Sequence, residues 1–132
     1  MRRTLDSVLA QSVLPDKWII VDDGSTDATP SILREYADKF PWIQIVAKAD
    51  RGQRAVGPGV IEAFYAGYST INAKDFDFLC KLDLDLILPK KYFEILLDRM
   101  SKNPRIATCS GKSYVEKDGN LVAENHGDET SL

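Results

Sequence analysis

Histidine and cysteine are scarce in this chain, and no long apolar or basic run occurs. With a single histidine, His126, set among Glu124, Asn125, Gly127 and Asp128, no Ser-His or Cys-His pair of a nucleophilic triad is indicated. The two cysteines, Cys80 and Cys109, lack zinc-binding spacing and lie beside apolar runs, so both are expected to be buried free thiols in a reducing compartment. No apolar stretch approaches the roughly 18 residues of a membrane span. The N-terminal Met1-Arg2-Arg3-Thr4 does not open an apolar signal segment either, so the expected location is cytoplasmic. A net charge of −3 without a basic cluster leaves no electrostatic case for nucleic acid. What remains is 132 residues, 44% hydrophobic and 28% charged, enough for one folded domain with its own core.

The apolar pattern alternates between two periods. Leu5, Val8 and Leu9 fall at helical spacing, and Trp18 to Val21 reads as a strand. A helix then opens near Thr29-Pro30, with Thr26, Asp27 or Thr29 as its N-cap and Ile32, Leu33, Tyr36 and Phe40 on its apolar face. Trp42 to Val46 is a second strand, and Asp50 to Gly59 a glycine-rich loop. Val60 to Ile71 is a helix whose Ile61, Phe64, Tyr65 and Tyr68 are expected in the core. Phe76 to Leu82 is expected as a third strand, Pro89 to Met100 as a helix, and Ile106 to Cys109 as a fourth strand. Two short runs around Lys117-Asp118-Gly119-Asn120 form a hairpin. Alternating strands and helices imply an α/β, Rossmann-like, mostly parallel sheet with flanking helices and a C-terminal hairpin. Such a sheet ordinarily opens on a strand, whereas this chain opens on a helix and closes on a polar tail. The expectation is therefore one domain over 1–132, incomplete at both ends.

Two acidic pairs close apolar runs: Asp22-Asp23 after Trp18 to Val21, and Asp83 with Asp85 after Phe76 to Leu82. In an open α/β sheet, ligands gather outside the carboxyl ends of the strands, so both pairs are expected at one rim. In an extended chain Asp83 and Asp85 project to the same side. There they either form the wet face of an edge strand or hold Mg²⁺ or Mn²⁺, which accept a few carboxylate oxygens along with substrate phosphates. The metal site is preferred, because aspartates fit a strand covered on both faces only at its exposed end. Asp22 and Asp23 can accept hydrogen bonds from a nucleobase or ribose. Turn and cap chemistry accounts equally for Gly24 to Asp27, but not for two aspartates before them. Arg51 and Arg54, in the glycine-rich loop, are candidates for a diphosphate, against the ordinary alternative of solvated surface arginines.

Taken together, these stretches resemble the family 2 inverting glycosyltransferases, which use nucleotide sugars and have the GT-A fold. The likeness rests on Leu5-Asp6-Ser7-Val8-Leu9-Ala10-Gln11-Ser12, Trp18-Ile19-Ile20-Val21-Asp22-Asp23-Gly24-Ser25-Thr26-Asp27, Asp50-Arg51-Gly52 and Leu82-Asp83-Leu84-Asp85-Leu86-Ile87-Leu88-Pro89. It implies a donor-binding portion that moves a sugar from a nucleoside diphosphate to a saccharide or lipid-linked acceptor, for polysaccharide assembly. By the same likeness Asp22 or Asp23 contacts the nucleobase and ribose, Asp83 lies near the ribose or sugar, and Asp85 ligates the divalent metal. Peripheral association with a membrane would come through regions outside this chain. Two departures stand out. Ala55-Val56-Gly57 replaces the family's Ala-Arg-Asn, and no residue after the hairpin matches the family's catalytic base. Two other folds use similar acidic clusters: receiver-type phospho-acceptor domains, with Ser110 and Lys112 as imitators, and aspartate-dependent phosphatases with Asp83 as nucleophile and Asp85 as acid.

Overall fold

A computed structural model describes residues 1–48 and 58–124. Its elements in chain order are α1 (Arg2–Leu9), β1 (Trp18–Asp22), α2 (Thr29–Lys39), β2 (Ile43–Ala47), α3 (Pro58–Tyr68), a 3-10 turn (Ala73–Asp75), α4 (Tyr92–Lys102), β3 (Tyr114–Lys117) and β4 (Asn120–Ala123). β1 and β2 pair in parallel, Trp18 opposite Ile43 through Asp22 opposite Ala47, with α2 as the crossover. β3 and β4 form the antiparallel hairpin. Asp118 and Gly119 have φ of 51° and 76°, the paired positive values of a type I′ turn, and Asp-Gly is a sequence that tolerates them.

The side chains of β1 alternate between two layers. Ile20 joins Leu5, Leu33, Tyr36 and Ile43 in the buried core beneath α1 and α2. Ile19 and Val21 face the other way, towards α3. Asp27 Oδ1 accepts the Thr29 N–H at 2.8 Å, which satisfies a first-turn donor of α2, while Ala28 occupies the cap position itself. Pro30 sits in the first turn, where its missing N–H costs nothing.

Three expectations change. The apolar stripe of α3 does not enter the core: Ile61, Phe64, Tyr65 and Tyr68 are 60%, 38%, 61% and 39% exposed. α3 meets β1 through small residues instead. Gly67 is buried, Ala63 and Ala66 are half-buried, and a Cβ on Gly67 would stand 3.0 Å from Val21 Cγ2. Phe64, Tyr65 and Tyr68 pack on one another, with centroids 5.6–6.4 Å apart. Next, neither Phe76 to Leu82 nor Ile106 to Cys109 forms a strand. Apolar sequence alone makes no strand without a neighbour to complete the ladder, and β1 has only β2 beside it among the described residues. Last, the cysteines are free but not buried; Cys80 is exposed and Cys109 half-buried.

Segment 84–93 is fastened by another device. The buried face of α1 and the residue just past its end are polar: Thr4 and Ser7 on the helix and Gln11 beyond it are 1%, 9% and 6% exposed. Thr4 Oγ1 donates to Leu84 O at 2.9 Å, Ser7 Oγ accepts the Leu88 N–H at 3.1 Å, and Gln11 Nε2 donates to Pro89 O at 2.8 Å. Gln11 Oε1 accepts the Phe93 N–H at 3.2 Å, and the Ser12 N–H donates to Lys90 O at 2.8 Å. Side chains of α1 and of the turn that follows it thus meet backbone groups that a sheet ladder would otherwise satisfy.

Candidate functional site

The C-terminal end of β1 carries the first acidic pair. Asp22 is 7% exposed, and its carboxylate Oδ1 accepts the Ser25 N–H at 3.0 Å, closing the turn in which Gly24 adopts φ 79°. Turn chemistry therefore extends back to Asp22, which the sequence alone left without such a role. Asp23 is more open and pairs through Oδ1 with Lys48 Nζ at 2.7 Å. The Lys48 side chain is only 12% exposed and also lies 3.9 Å from Glu62 on α3. One ammonium thus links the ends of β1 and β2 to α3, and it holds the Asp23 carboxylate in place. Sequence reasoning gave Lys48 no role; its signal was a cation directly after the apolar run of β2.

The second pair lies on the segment held by α1. Leu84 and Asp85 form a turn, so the extended, same-side arrangement expected for Asp83 and Asp85 does not apply. A strand-like geometry would need the missing ladder, whereas the Thr4 hydroxyl holds the chain at Leu84 O and the Leu84 side chain packs against the core. Asp83 pairs with Lys81 Nζ at 2.7 Å, both largely exposed. Asp85 is exposed and makes no hydrogen bond or ion pair with another described residue. Arg54 lies outside the described residues, as do Arg51, Gly52 and His126.

Among the described residues, no three His, Cys, Asp or Glu side chains gather closely enough to hold a metal ion. A fully protein-built cage is therefore not formed by Asp22, Asp23, Asp83 and Asp85. The donor chemistry still suits a hard cation, since Mg²⁺ and Mn²⁺ take one or two carboxylates and complete their shell from water and substrate phosphates. Asp85, an oxygen donor open to solvent, matches that requirement. A separate groove of about 220 Å³ runs between α1 and α2, lined by Asp6, Leu9, Glu35, Tyr36, Lys39 and Phe40. It contains neither acidic pair. Along its edge Arg2 and Lys39 flank Glu35 at 2.8 and 2.9 Å and hold its carboxyl down at about 2.

The comparisons agree with the resemblance. The family model for glycosyl transferase family 2 matches residues 1–128. Chondroitin synthase of Escherichia coli is 25% identical over 94% of this chain, and that match covers 17% of the relative. Poly-beta-1,6-N-acetyl-D-glucosamine synthase of Staphylococcus epidermidis is 22% identical over 92% of the chain and 27% of the relative. Hyaluronan synthase of Pasteurella multocida is 26% identical over 96% of the chain and 12% of the relative. The chain spans about a quarter or less of the length of these curated relatives. A match over 128 residues leaves the receiver and phosphatase alternatives without support. From the acidic ends of its apolar runs to this near-complete match, the chain belongs to glycosyl transferase family 2.

Proposed function

We propose that this chain is the donor-binding portion of a glycosyltransferase that moves a sugar from a nucleoside diphosphate to a saccharide or lipid-linked acceptor. The observation that carries the reading is Asp85: an exposed carboxylate without a described partner, beside a backbone tied down at Leu84 O. The named relatives are polysaccharide synthases, which favours a saccharide acceptor.

In this reading Asp22 and Asp23 receive the nucleobase and ribose, with Lys48 steadying Asp23. Asp83 lies near the ribose or sugar, Asp85 ligates Mg²⁺ or Mn²⁺, and Arg54 meets the diphosphate. When bound, the cation would offset the negative charge that builds on the departing nucleoside diphosphate. Asp22 contributes rigidity, because its carboxylate is fixed by the turn it closes. Asp83 must exchange Lys81 for a donor hydroxyl, a modest cost for an exposed pair. The sugar carbon develops oxocarbenium character as its bond to the diphosphate breaks. No residue is assigned as the base that activates the acceptor, any contact with a membrane would come through regions outside this chain, and the donor is taken from the cytoplasm.

Calorimetric titration tests the reading, using UDP, GDP, ADP and CDP with Mn²⁺ or with EDTA, on the wild type and Asp85→Ala. The expected result is one diphosphate whose binding strengthens with Mn²⁺ in the wild type and not in the variant. Binding that ignores both Mn²⁺ and the substitution overturns it.

A further inference from the structure

The hydrogen bonds between α1 and segment 84–93 have a consequence for Asp85. Without a strand ladder, the segment on both sides of Asp85 is located by polar atoms of a buried helix face: Thr4 Oγ1 to Leu84 O, then Ser7 Oγ to the Leu88 N–H. Gln11 adds a bond to Pro89 O and another from the Phe93 N–H. Ser7 Oγ also donates to the backbone carbonyl of Thr4 at 2.8 Å, and Gln11 Nε2 to that of Ser7 at 3.0 Å, so the Ser7 and Gln11 side chains are each anchored to the preceding turn. Every one of them is nearly withdrawn from water. Polar groups in such a place are costly unless satisfied, and among the described residues no buried side-chain N or O atom lacks a partner.

We infer that Thr4, Ser7 and Gln11 are positioning residues that set the location of the Asp85 carboxylate for the cation, which makes α1 and the turn after it part of the donor site without touching the donor. The inference rests on the reading of Asp85 as the metal ligand. Thr4 is the most direct of the three, since its hydroxyl grips the carbonyl of the residue immediately before Asp85. An exposed carboxylate on a loosely held turn samples many orientations, and ordering it at the moment of binding weakens the complex. The same bond, made in advance, removes that cost. Ser12 extends the arrangement towards α4, donating through its N–H to Lys90 O and through its hydroxyl to Glu94 Oε2 at 2.6 Å.

The test compares wild type, Thr4→Val and Thr4→Ser in this chain. Valine preserves shape and loses the donor; serine restores it. For each, the Mn²⁺ concentration that half-saturates the enhancement of diphosphate binding is measured, along with binding in EDTA. The bond to Leu84 O translates into a roughly 3- to 10-fold higher Mn²⁺ requirement for Thr4→Val. Binding in EDTA stays unchanged and Thr4→Ser lies close to wild type. Hydrogen exchange at the Leu88 and Phe93 amides reports whether segment 84–93 is still held in each variant. A Mn²⁺-dependent wild type whose Thr4→Val variant has the same requirement overturns the inference alone. So does an equal loss with and without metal, which would mark Thr4 as merely structural. A wild type indifferent to Mn²⁺ overturns the reading of Asp85, and the inference with it.

Discussion

Replacing Gln11 by glutamate leaves the shape of a buried side chain intact while reversing part of its hydrogen bonding. Gln11 is 6% exposed; its Nε2 donates to Ser7 O at 3.0 Å and Pro89 O at 2.8 Å, and its Oε1 accepts from the Phe93 N–H at 3.2 Å. In Gln11→Glu the acceptor bond survives. An ionised carboxylate loses both donor bonds and sets an anionic oxygen against two carbonyl oxygens. The neutral acid can still donate one O–H, so at low pH the variant loses about one bond, near 1 kcal/mol. At neutral pH the loss of both bonds and the burial of charge raise the cost to about 2–4 kcal/mol. Burial and the facing carbonyls raise the carboxyl pKa in the folded state above its unfolded value. The folded variant therefore binds more protons than the unfolded chain between those two values. Its stability relative to wild type is greatest below the unfolded pKa and falls as pH rises towards the folded one. Urea unfolding of both proteins across pH 4 to 8 measures the difference, which cancels titrations common to the two. A penalty independent of pH, or below about 0.5 kcal/mol throughout, would refute the assignment of Gln11 as a buried donor to two carbonyls.

Two further outcomes follow from other parts of the fold. Glu35, held at about 2 mainly by its bond to Arg2 and next by Lys39, contributes stability that is present above its ordinary pKa and declines as pH falls from there towards about 2. Arg2→Met should move its titration, followed by carboxyl NMR shifts, back towards the ordinary carboxylate range, with little change in overall stability because the pair is exposed. Gly67→Leu should destabilise the chain by about 1–3 kcal/mol in urea unfolding, because the side chain would be driven into Val21 and Ile19. Gly67→Ala should cost far less, as helix propensity offsets a contact only a few tenths of an ångström too close.

How far the residues announced this structure depends on whether the deciding interaction was local. Asp118-Gly119 specifies its own turn, and Leu33 and Tyr36 mark the buried face of α2 by spacing alone. Asp27 and Pro30 likewise signal the start of a helix from neighbouring positions. Phe76 to Leu82 misled because a strand depends on a neighbour, and apolar content says nothing about whether one is present. The aromatic stripe of α3 misled for a related reason: close approach to β1 selects Gly67, Ala63 and Ala66, which carry almost no hydrophobic signal. At the candidate site, Asp22, Asp23, Asp83 and Asp85 were legible as acidic ends of apolar runs. Lys48 was not, because its pairing with Asp23 spans 25 residues and appears only when β1 and β2 align. Thr4, Ser7 and Gln11 carried no signal in the sequence; only their contacts 78 to 81 residues away make them interior.

The central claim is that one bound nucleotide is served by Asp85 through a cation and by the Asp22-Asp23 turn directly. Paramagnetic broadening tests it most directly. Mn²⁺ is added in substoichiometric amounts to the isotopically labelled chain, with the diphosphate that calorimetry selects. The account predicts selective loss of amide signals at Leu84 to Leu86 and at Asp22 to Gly24, requiring the diphosphate and abolished by Asp85→Ala. Broadening confined to other acidic surfaces, or unchanged in the Asp85→Ala chain, would contradict it.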